Sequence, residues 1–352
     1  TAAVLAQPGQ APAIDARARF RNIFCALAHR QGAADVEDPE CESLLWRLGD
    51  EPDGSAPGAA LPALSPRLHV FVVGGAFSDC FGESASAYGR AIESVRQRGI
   101  RAHSVPISGR SGTERNAAII AETLSAENPG LDDLVVLIGY SKGTVDILQF
   151  LVDYPVMVRF VDAVVGVSGP VRGSRLAEQS RWFYDTFLER AFAGRCDPGD
   201  GQVLESLLPA RRIAWLNGHQ LPASVDYFTL SAFTTREHMA NGLTSSYAML
   251  AKESRRNDGQ VTLESALIPG SVLLGYANTD HWGLAIDIEE ELEWMGSRKN
   301  PQPYPRQLLF ESILRFVAEA LDAGSNAQSG WPITGSALAA HGRPVQNCGL
   351  ER

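Results

Sequence analysis

Short runs of apolar residues alternate along the chain with segments whose apolar residues recur at helical spacing. The apolar runs predict strands, at 68–73, 100–105, 134–138, 161–167, 225–231 and 271–277. The periodic segments predict helices, at 83–98, 112–126, 144–153 and 305–322. Near-continuous apolar strands that alternate with helices are typical of a mostly parallel sheet covered on both faces. The predicted fold class is therefore α/β, with a central sheet flanked by helices.

The two ends of the chain depart from this alternation. Helical periodicity at 13–31 and a second short helical pattern at 41–48 precede a stretch at 50–66 that is rich in Pro, Gly, Ala and Ser. Such a stretch is typical of a linker. The last residues are rich in Gly, Ser, Asn and Pro, which indicates an irregular tail. The predicted divisions are an N-terminal extension with linker, a main domain and a tail, at 1–62, 63–323 and 324–352.

An insertion at about 175–222 interrupts the alternation inside the main domain. Its first part is aromatic and partly helical in pattern, and it contains Trp182. An insertion between two strands of an α/β sheet is expected to lie over the carboxyl ends of the strands, where such sheets bind ligands. We interpret the insertion as a helical cap. A structural subdomain with its own small core is the alternative.

Charge narrows the classes of partner. The chain has 352 residues and a net charge of −10, without any run of Lys or Arg. This argues against nucleic acid or an anionic membrane surface as a partner. No apolar run reaches the roughly 18–20 residues that span a bilayer. The chain begins at Thr1 without a signal peptide, which fits either the start of a mature periplasmic, secreted or surface-attached bacterial protein or a sequence that has simply been shortened at this point.

Five cysteines are present, and none forms a C-x-x-C pair, so they do not predict a zinc site. Cys25 and Cys41 lie in a short N-terminal segment that could hardly build a core alone. A disulfide between them would close a loop of about 15 residues and contribute on the order of 3 kcal/mol. We predict this bond, and two buried thiols are the alternative. The odd count leaves at least one cysteine unpaired or paired between chains.

The strand at 134–138 runs into a G-x-S-x-G motif, Gly139-Tyr-Ser141-Lys-Gly143. The five letters alone occur by chance in many proteins. Here an apolar strand precedes the motif and a helical pattern follows it, which is the context of a nucleophile on a sharp strand-to-helix turn. Glycines without a Cβ let the strand and the helix approach closely. Ser141 is therefore the candidate nucleophile, and it needs a base, an acid and an oxyanion hole from elsewhere in the chain.

Seven histidines are candidates for the base. His69 and His103 fall inside predicted strands. His281 alone follows a late apolar strand, in the loop at its carboxyl end. Because the carboxyl ends of parallel strands lie at one edge of a sheet, His281 is expected near Ser141. We therefore choose His281 as the base.

The acid of this set should be a buried carboxylate that orients the base through its other ring nitrogen. Asp258 lies in an Asn-Asp-Gly sequence between two predicted strands, and it is our candidate. Asn-Asp-Gly is also an ordinary turn sequence. Asp280 is adjacent to His281 and poorly placed to reach its ring. Asp287 is the second candidate.

The oxyanion hole needs backbone N–H groups aimed at the developing negative charge. The N–H of Lys142 directly follows the nucleophile, and the N–H of Ala76 lies in the Gly-rich loop after the first predicted strand. The side chain of Lys142 could favour an anionic substrate, but we expect it to point to solvent. Aromatic residues near these groups or in the insertion are the candidate substrate-binding residues: Phe77, Tyr140, Trp182 and Trp282.

Ser141, Asp258 and His281 follow the order nucleophile, acid, histidine, and the chain resembles an α/β-hydrolase over roughly 68–322. More narrowly, it is similar to bacterial lipases and esterases of the Burkholderia and Pseudomonas type. Four segments carry the likeness: the loop with Gly75-Ala76, the G-x-S-x-G motif, Ser168-Gly-Pro-Val-Arg-Gly-Ser, and Asn257-Asp-Gly-Gln-Val. Those lipases place a calcium-ligating Asp where this chain has Gly283, so we do not carry over a calcium site. We expect no metal and no cofactor.

The resemblance implies hydrolysis of a small-molecule or polymeric carboxylic ester through a covalent acyl-serine. Another acyl hydrolase on the same scaffold, such as a polyester depolymerase, thioesterase or peptidase, is the alternative. A non-catalytic hydrolase-like binding protein is a further alternative. Reaction of Ser141 with a fluorophosphonate would distinguish an enzyme from such a binding protein.

Overall fold

The computed structural model describes residues 12–31, 39–49, 51, 60–80, 86–130, 132–179, 197–286 and 304–325. Seven strands in these ranges form one sheet: β1 (Ile14–Asp15), β2 (Leu68–Val73), β3 (Arg101–Val105), β4 (Leu134–Tyr140), β5 (Ala163–Val167), β6 (Asp226–Ala232) and β7 (Val272–Ala277). All neighbouring strands are parallel, in the order β1-β7-β6-β5-β4-β2-β3. The prediction of an α/β fold with a central parallel sheet is confirmed.

Helices connect most of the strands. The described helices are α1 (Arg17–Arg30), α2 (Pro39–Leu44), α3 (Gly89–Arg96), α4 (Thr113–Glu127), α5 (Lys142–Asp153), α6 (Arg175–Gln179), α7 (Pro209–Gly218), α8 (Thr244–Leu250), α9 (His281–Ala285) and α10 (Arg306–Ser325). Short 3₁₀ turns lie at Ser78–Cys80, Val158–Phe160, Glu205–Leu207, Arg236–His238, Asn241–Leu243 and Leu263–Ser265. Among these described helices, none combines the length and the apolar character that crossing a bilayer requires.

Two apolar clusters hold the helices against opposite faces of the sheet. Phe20 of α1 belongs to the same cluster as Val70 of β2. Ile120 of α4 and Ile147 of α5 belong to the other, together with Phe71 of β2. Successive side chains of a strand point to opposite faces, which is why neighbours in β2 serve different clusters. Since β4 is buried along its whole length between these layers, the core fixes the position of the residue that follows it.

The helix predicted at 13–31 is wrong at its start. Residues Ile14–Asp15 form β1, an edge strand with Ile14 opposite Val272 of β7, and the helix begins only at Arg17. Two residues are too few to show the alternation of a strand, so the pairing with β7 sets their conformation and the local pattern does not. The segment therefore adds an edge to the sheet. The predicted boundary between extension and main domain stays a prediction.

The predicted disulfide between Cys25 and Cys41 is confirmed. It joins α1 to α2, and the two helices also contact each other. Cys80 is disulfide-bonded as well. The bond between Cys25 and Cys41 thus closes the segment between β1 and β2 covalently.

The segment that follows α2 lies against the end of β7. The Trp46 N–H donates to the Tyr276 carbonyl oxygen at 2.7 Å, and the Asn278 N–H donates to the Leu44 carbonyl oxygen at 2.8 Å. The Trp46 indole also stacks on Phe233, which follows β6, with ring centroids 5.1 Å apart. These contacts support the loop that leaves β7 from its outer side.

The insertion at 175–222 is described only in part. The helix α6 opens it, and the 3₁₀ turn at Glu205–Leu207 and α7 lie in its second half. Residues 180–196, with Trp182 among them, lie outside the described residues, as do Asp287 and the predicted tail beyond residue 325. The cap and the tail therefore stay predictions.

Candidate active site

Ser141 occupies a sharp turn between β4 and α5. Its φ of 55° and ψ of −127° are a backbone conformation that residues with side chains rarely adopt. The neighbouring glycines permit this turn, since a Cβ on Gly139 would overlap the backbone of Thr144. A Cβ on Gly143 would overlap the carbonyl oxygen of Val73. The strand, turn and helix expected around Ser141 are all present.

A chain of hydrogen bonds joins Ser141, His281 and Asp258. Nε2 of His281 lies 2.9 Å from Ser141 Oγ, and Nδ1 of His281 lies 2.7 Å from Asp258 Oδ2. His281 is only 2% exposed and Asp258 is 0% exposed, so water competes little for these bonds. A hydroxyl bonded to an imidazole that is itself bonded to a carboxylate can give its proton to the ring. The structure thus brings together the three residues proposed from the sequence.

The turn that follows Asp258 orients its carboxylate. Oδ1 accepts hydrogen bonds from the Gln260 N–H at 2.8 Å and the Val261 N–H at 2.7 Å, which leaves Oδ2 for His281. Gly259, between Asp258 and Gln260, has a φ of 94°, in the left-handed region that favours glycine. The Asn-Asp-Gly sequence therefore forms a turn, and that turn also fixes the orientation of the buried Asp258 carboxylate.

Two further residues hold the loop that carries His281. Asp280 accepts the Gly283 N–H on Oδ1 and the Ala240 N–H on Oδ2, both at 2.8 Å, so both of its carboxylate oxygens bind backbone groups and it caps α9. The hydroxyl of Tyr140 donates to the His281 carbonyl oxygen at 2.7 Å. Burial raises the pKa of Tyr140, and the nearby Asp258 charge adds to this shift, so the phenol stays protonated as a donor. Sequence reasoning missed this role of Tyr140, because strand alternation does not indicate a hydroxyl contact with a distant loop.

Known structures with the same fold include an esterase that covers nearly the whole chain. The crystal structure of the metagenomic carboxyl esterase MGS0156 is similar to the chain with a TM-score of 0.80 and 35% sequence identity, over 91% of this chain and 98% of the esterase. The chain belongs to the α/β-hydrolase family. The mature form of the Bacillus licheniformis lipase BlEst2 resembles the hydrolase with a TM-score of 0.50 and 20% identity, over 64% of this chain and 89% of the lipase, and shows the fold alone.

The likeness to this carboxyl esterase supports a hydrolase of esterase type. No protein-family model matches the hydrolase, and the comparison with curated proteins gave no significant match. The narrower likeness to Burkholderia and Pseudomonas lipases stays a prediction.

The loop after β2 lies directly beside the nucleophile. A Cβ on Gly75 would lie 3.0 Å from the Cβ of Ser141. The next N–H, that of Ala76, donates to no group in the described part of the hydrolase. The N–H of Lys142 belongs to the first turn of α5, where N–H groups have no acceptor inside the helix. Both N–H groups are therefore available for a ligand.

The four aromatic residues proposed to bind substrate lie in different surroundings. Tyr140 is 4% exposed, and Trp282 is 9% exposed and packs in a cluster with Met239. Phe77 is partly exposed in the loop after β2 and has a φ of 62°. Trp182 lies outside the described residues. A substrate-binding role for these residues stays a prediction.

The expectation that the Lys142 side chain points to solvent is wrong. Lys142 and Asp146 are both 0% exposed, and Lys142 Nζ lies 2.6 Å from Asp146 Oδ1. Asn116 of α4 donates to the other carboxylate oxygen at 2.8 Å. Burial raises the pKa of Asp146, and the Lys142 ammonium opposes that shift. The i, i+4 spacing is visible in the sequence, but burial of the pair depends on the packing of α4 on α5.

Replacement of Lys142 by methionine is expected to lower the free energy of unfolding by about 3–5 kcal/mol, because it leaves the Asp146 carboxylate buried without its counter-charge. The double variant Lys142→Met with Asp146→Leu should recover much of that loss. Urea unfolding followed by circular dichroism measures both. The exposed pair of Arg175 and Glu253 is the matched control, and Arg175→Met should cost at most about 1 kcal/mol. A loss below about 1 kcal/mol in Lys142→Met would contradict the importance of the buried pair.

Proposed function

We propose that the hydrolase is a serine carboxylic ester hydrolase that forms an acyl intermediate on Ser141. The observation that carries the proposal is the hydrogen-bonded chain from Ser141 Oγ through His281 to Asp258, with distances of 2.9 Å and 2.7 Å. The likeness to a carboxyl esterase at 35% identity supports an ester as substrate. Ser141 is the nucleophile, His281 the base and Asp258 the acid of this proposal.

In the acylation step, Nε2 of His281 takes the proton of Ser141 as Oγ attacks the ester carbonyl carbon. The carbonyl π electrons move onto oxygen, and we assign the N–H groups of Ala76 and Lys142 to the resulting oxyanion. His281 then gives its proton to the alcohol oxygen while the bond from that oxygen to the carbonyl carbon breaks. The alcohol leaves, and the acyl group stays on Ser141.

Deacylation repeats these steps with water. His281 takes a proton from water as the water oxygen attacks the acyl carbon, and it returns the proton to Ser141 Oγ as the acid leaves. Asp258 keeps the proton of neutral His281 on Nδ1, so that the lone pair of Nε2 faces Ser141 or water. Asp258 also stabilises the imidazolium that forms in each step. Tyr140 and Asp280 hold the backbone of the His281 loop through their hydrogen bonds and act as positioning residues.

We further propose that the protein works outside the cytoplasm. The bond between Cys25 and Cys41 and the disulfide at Cys80 support this location, because disulfides persist in oxidising compartments.

A fluorophosphonate probe tests the nucleophile. The Ser141 oxygen should displace fluoride and form a bond to phosphorus, so that intact-mass measurement gives one label per chain and peptide mapping places it on Ser141. The Ser125→Ala variant, on the distant helix α4, should label at the wild-type rate, and protein unfolded in urea should not label. Label on another residue, or none on the folded chain, would contradict the proposal. Turnover of p-nitrophenyl esters, thioesters and peptides by the same sample identifies the acyl substrate class.

A further inference from the structure

A second group of polar side chains lies towards the amino ends of the strands, away from the carboxyl end of β4 where Ser141 lies. His69 lies near the start of β2 and His103 lies in the middle of β3, and the two strands pair with Phe71 opposite His103. Because His69 and Phe71 are two residues apart on one strand, both histidines lie on the same face of the sheet. Their Nε2 atoms face each other at a distance of 3.1 Å.

The other nitrogen of each histidine faces a carboxylate. Nδ1 of His103 lies 3.2 Å from Oε1 of Glu127, the last residue of α4. Nδ1 of His69 lies 3.5 Å from Oδ2 of Asp133, which directly precedes β4. His69 is buried, and this Nδ1 has no hydrogen-bond partner of normal length and geometry. Asp133 in turn pairs with Arg101.

A neutral imidazole carries a single N–H. When both rings are neutral, two N–H groups are therefore too few to place a hydrogen in all three contacts, the one between the Nε2 atoms and the two between Nδ1 and a carboxylate. If both rings protonate Nδ1 towards the carboxylates, two Nε2 lone pairs oppose each other at 3.1 Å. If one ring protonates Nε2, its Nδ1 lone pair faces a carboxylate. A cation between the two Nε2 atoms removes the conflict.

We propose that His69 and His103 bind a divalent transition metal ion, Zn²⁺ before others, through their Nε2 atoms, with Glu127 as the third ligand. Imidazole nitrogen with a carboxylate oxygen is a donor set that suits zinc. Metal-binding histidines commonly direct their second nitrogen at a carboxylate, and Asp133 holds that place for His69.

The distances fit such an ion. Zinc at about 2.0–2.1 Å from two imidazole nitrogens in tetrahedral geometry separates them by about 3.3 Å, close to the 3.1 Å between the two Nε2 atoms. One ligand atom from each of His69, His103 and Glu127, with either ring nitrogen of a histidine counted, can be chosen so that all three lie within 4.8 Å of one another. The Glu127 side chain is 38% exposed, so it can turn from His103 Nδ1 towards the ion, and solvent can supply the fourth ligand.

A shared proton is the competing occupant of the space between the nitrogens. A shared proton engages the lone pair of only one ring while the other ring carries the N–H, whereas a metal ion takes the lone pairs of both Nε2 atoms.

The ion has a structural role in this proposal. β3 is an edge strand of the sheet, and the ion would tie it to β2 and to the end of α4. Ser141 lies at the carboxyl end of β4, whereas Asp133 precedes the amino end of that strand. The ion therefore takes no part in the proposed ester hydrolysis.

Titration of the EDTA-treated full chain with Zn²⁺ tests this site. Calorimetry should give one ion per chain, and Zn²⁺ at about 100 times its Kd should raise the Tm by roughly 3–6 °C. His103→Gln should weaken binding by more than about 100-fold and remove the Tm shift, and Glu127→Gln should weaken binding by at least about tenfold. Exposed His219 provides the control, since His219→Gln should bind as the wild type does.

Two results would overturn the site. Wild-type protein that binds no Zn²⁺ would leave the shared proton as the occupant, and binding that persists unchanged in a folded His103→Gln variant would place the ion elsewhere. Esterase activity separates the structural role from a catalytic one. EDTA-treated wild type should keep its turnover at 25 °C, and a loss of turnover that Zn²⁺ restores would contradict an ion remote from Ser141.

Discussion

Replacement of Ser141 by alanine is expected to lower kcat for a p-nitrophenyl ester by about 10⁶-fold. The hydroxyl oxygen that forms the acyl bond is removed, and the methyl group left behind cannot replace it. The N–H groups of Ala76 and Lys142 would still bind a developing oxyanion, so a small rate above that of the uncatalysed reaction should remain. Steady-state kinetics at saturating ester, with the protein concentration raised to detect slow turnover, measures the loss.

The control for Ser141→Ala is the same change, serine to alanine, at a position away from the active site. Ser246 of α8 donates only to the Leu243 carbonyl oxygen, so Ser246→Ala should keep the wild-type kcat. Urea unfolding of both variants should give midpoints near that of the wild type, since alanine at position 141 keeps the backbone turn. A folded Ser141→Ala variant that retains more than a tenth of the wild-type kcat would remove Ser141 as the nucleophile.

Replacement of Asp258 by asparagine is expected to lower kcat by about 10⁴-fold with little change in the fold. The asparagine oxygen can still accept the N–H groups of Gln260 and Val261, which turns its amide NH₂ towards Nδ1 of His281. Nδ1 must then accept a hydrogen bond, so the proton of the neutral ring moves to Nε2. A protonated Nε2 cannot take the proton of Ser141, and the first step stalls.

Asp280→Asn is the matched control for the acid. Asp280 accepts two N–H groups and lies next to His281, so its loss should destabilise the loop while changing kcat far less than Asp258→Asn does. Kinetics and urea unfolding of both variants at one pH separate the two roles. If Asp280→Asn lost the larger factor in kcat, the acid would have been assigned to the wrong carboxylate.

The centre of the sheet and the candidate site follow from local pattern. Apolar strands bounded by Gly or polar loops predict β2, β4 and β7 to within a few residues, because burial on both faces forces near-continuous apolar runs. The order of strands then brings Ser141, Asp258 and His281 to one edge of a parallel sheet. Contacts between distant segments have no such signal: Tyr140 with the His281 carbonyl, and His69 with His103, depend on strand pairing.

The pairing of β1 with β7 joins the first described strand along the chain to the last one. During synthesis, Ile14–Asp15 leave the ribosome long before Val272, so this edge cannot form until β7 has been made. Contacts between such distant parts of a sequence slow folding, because the entropy of closing the loop is lost before the contact repays it. Until then, the residues around Trp46 lack their β7 partners, and the loop of His281 lacks its outer support. The proposed esterase activity should therefore be among the last properties that a refolding chain regains.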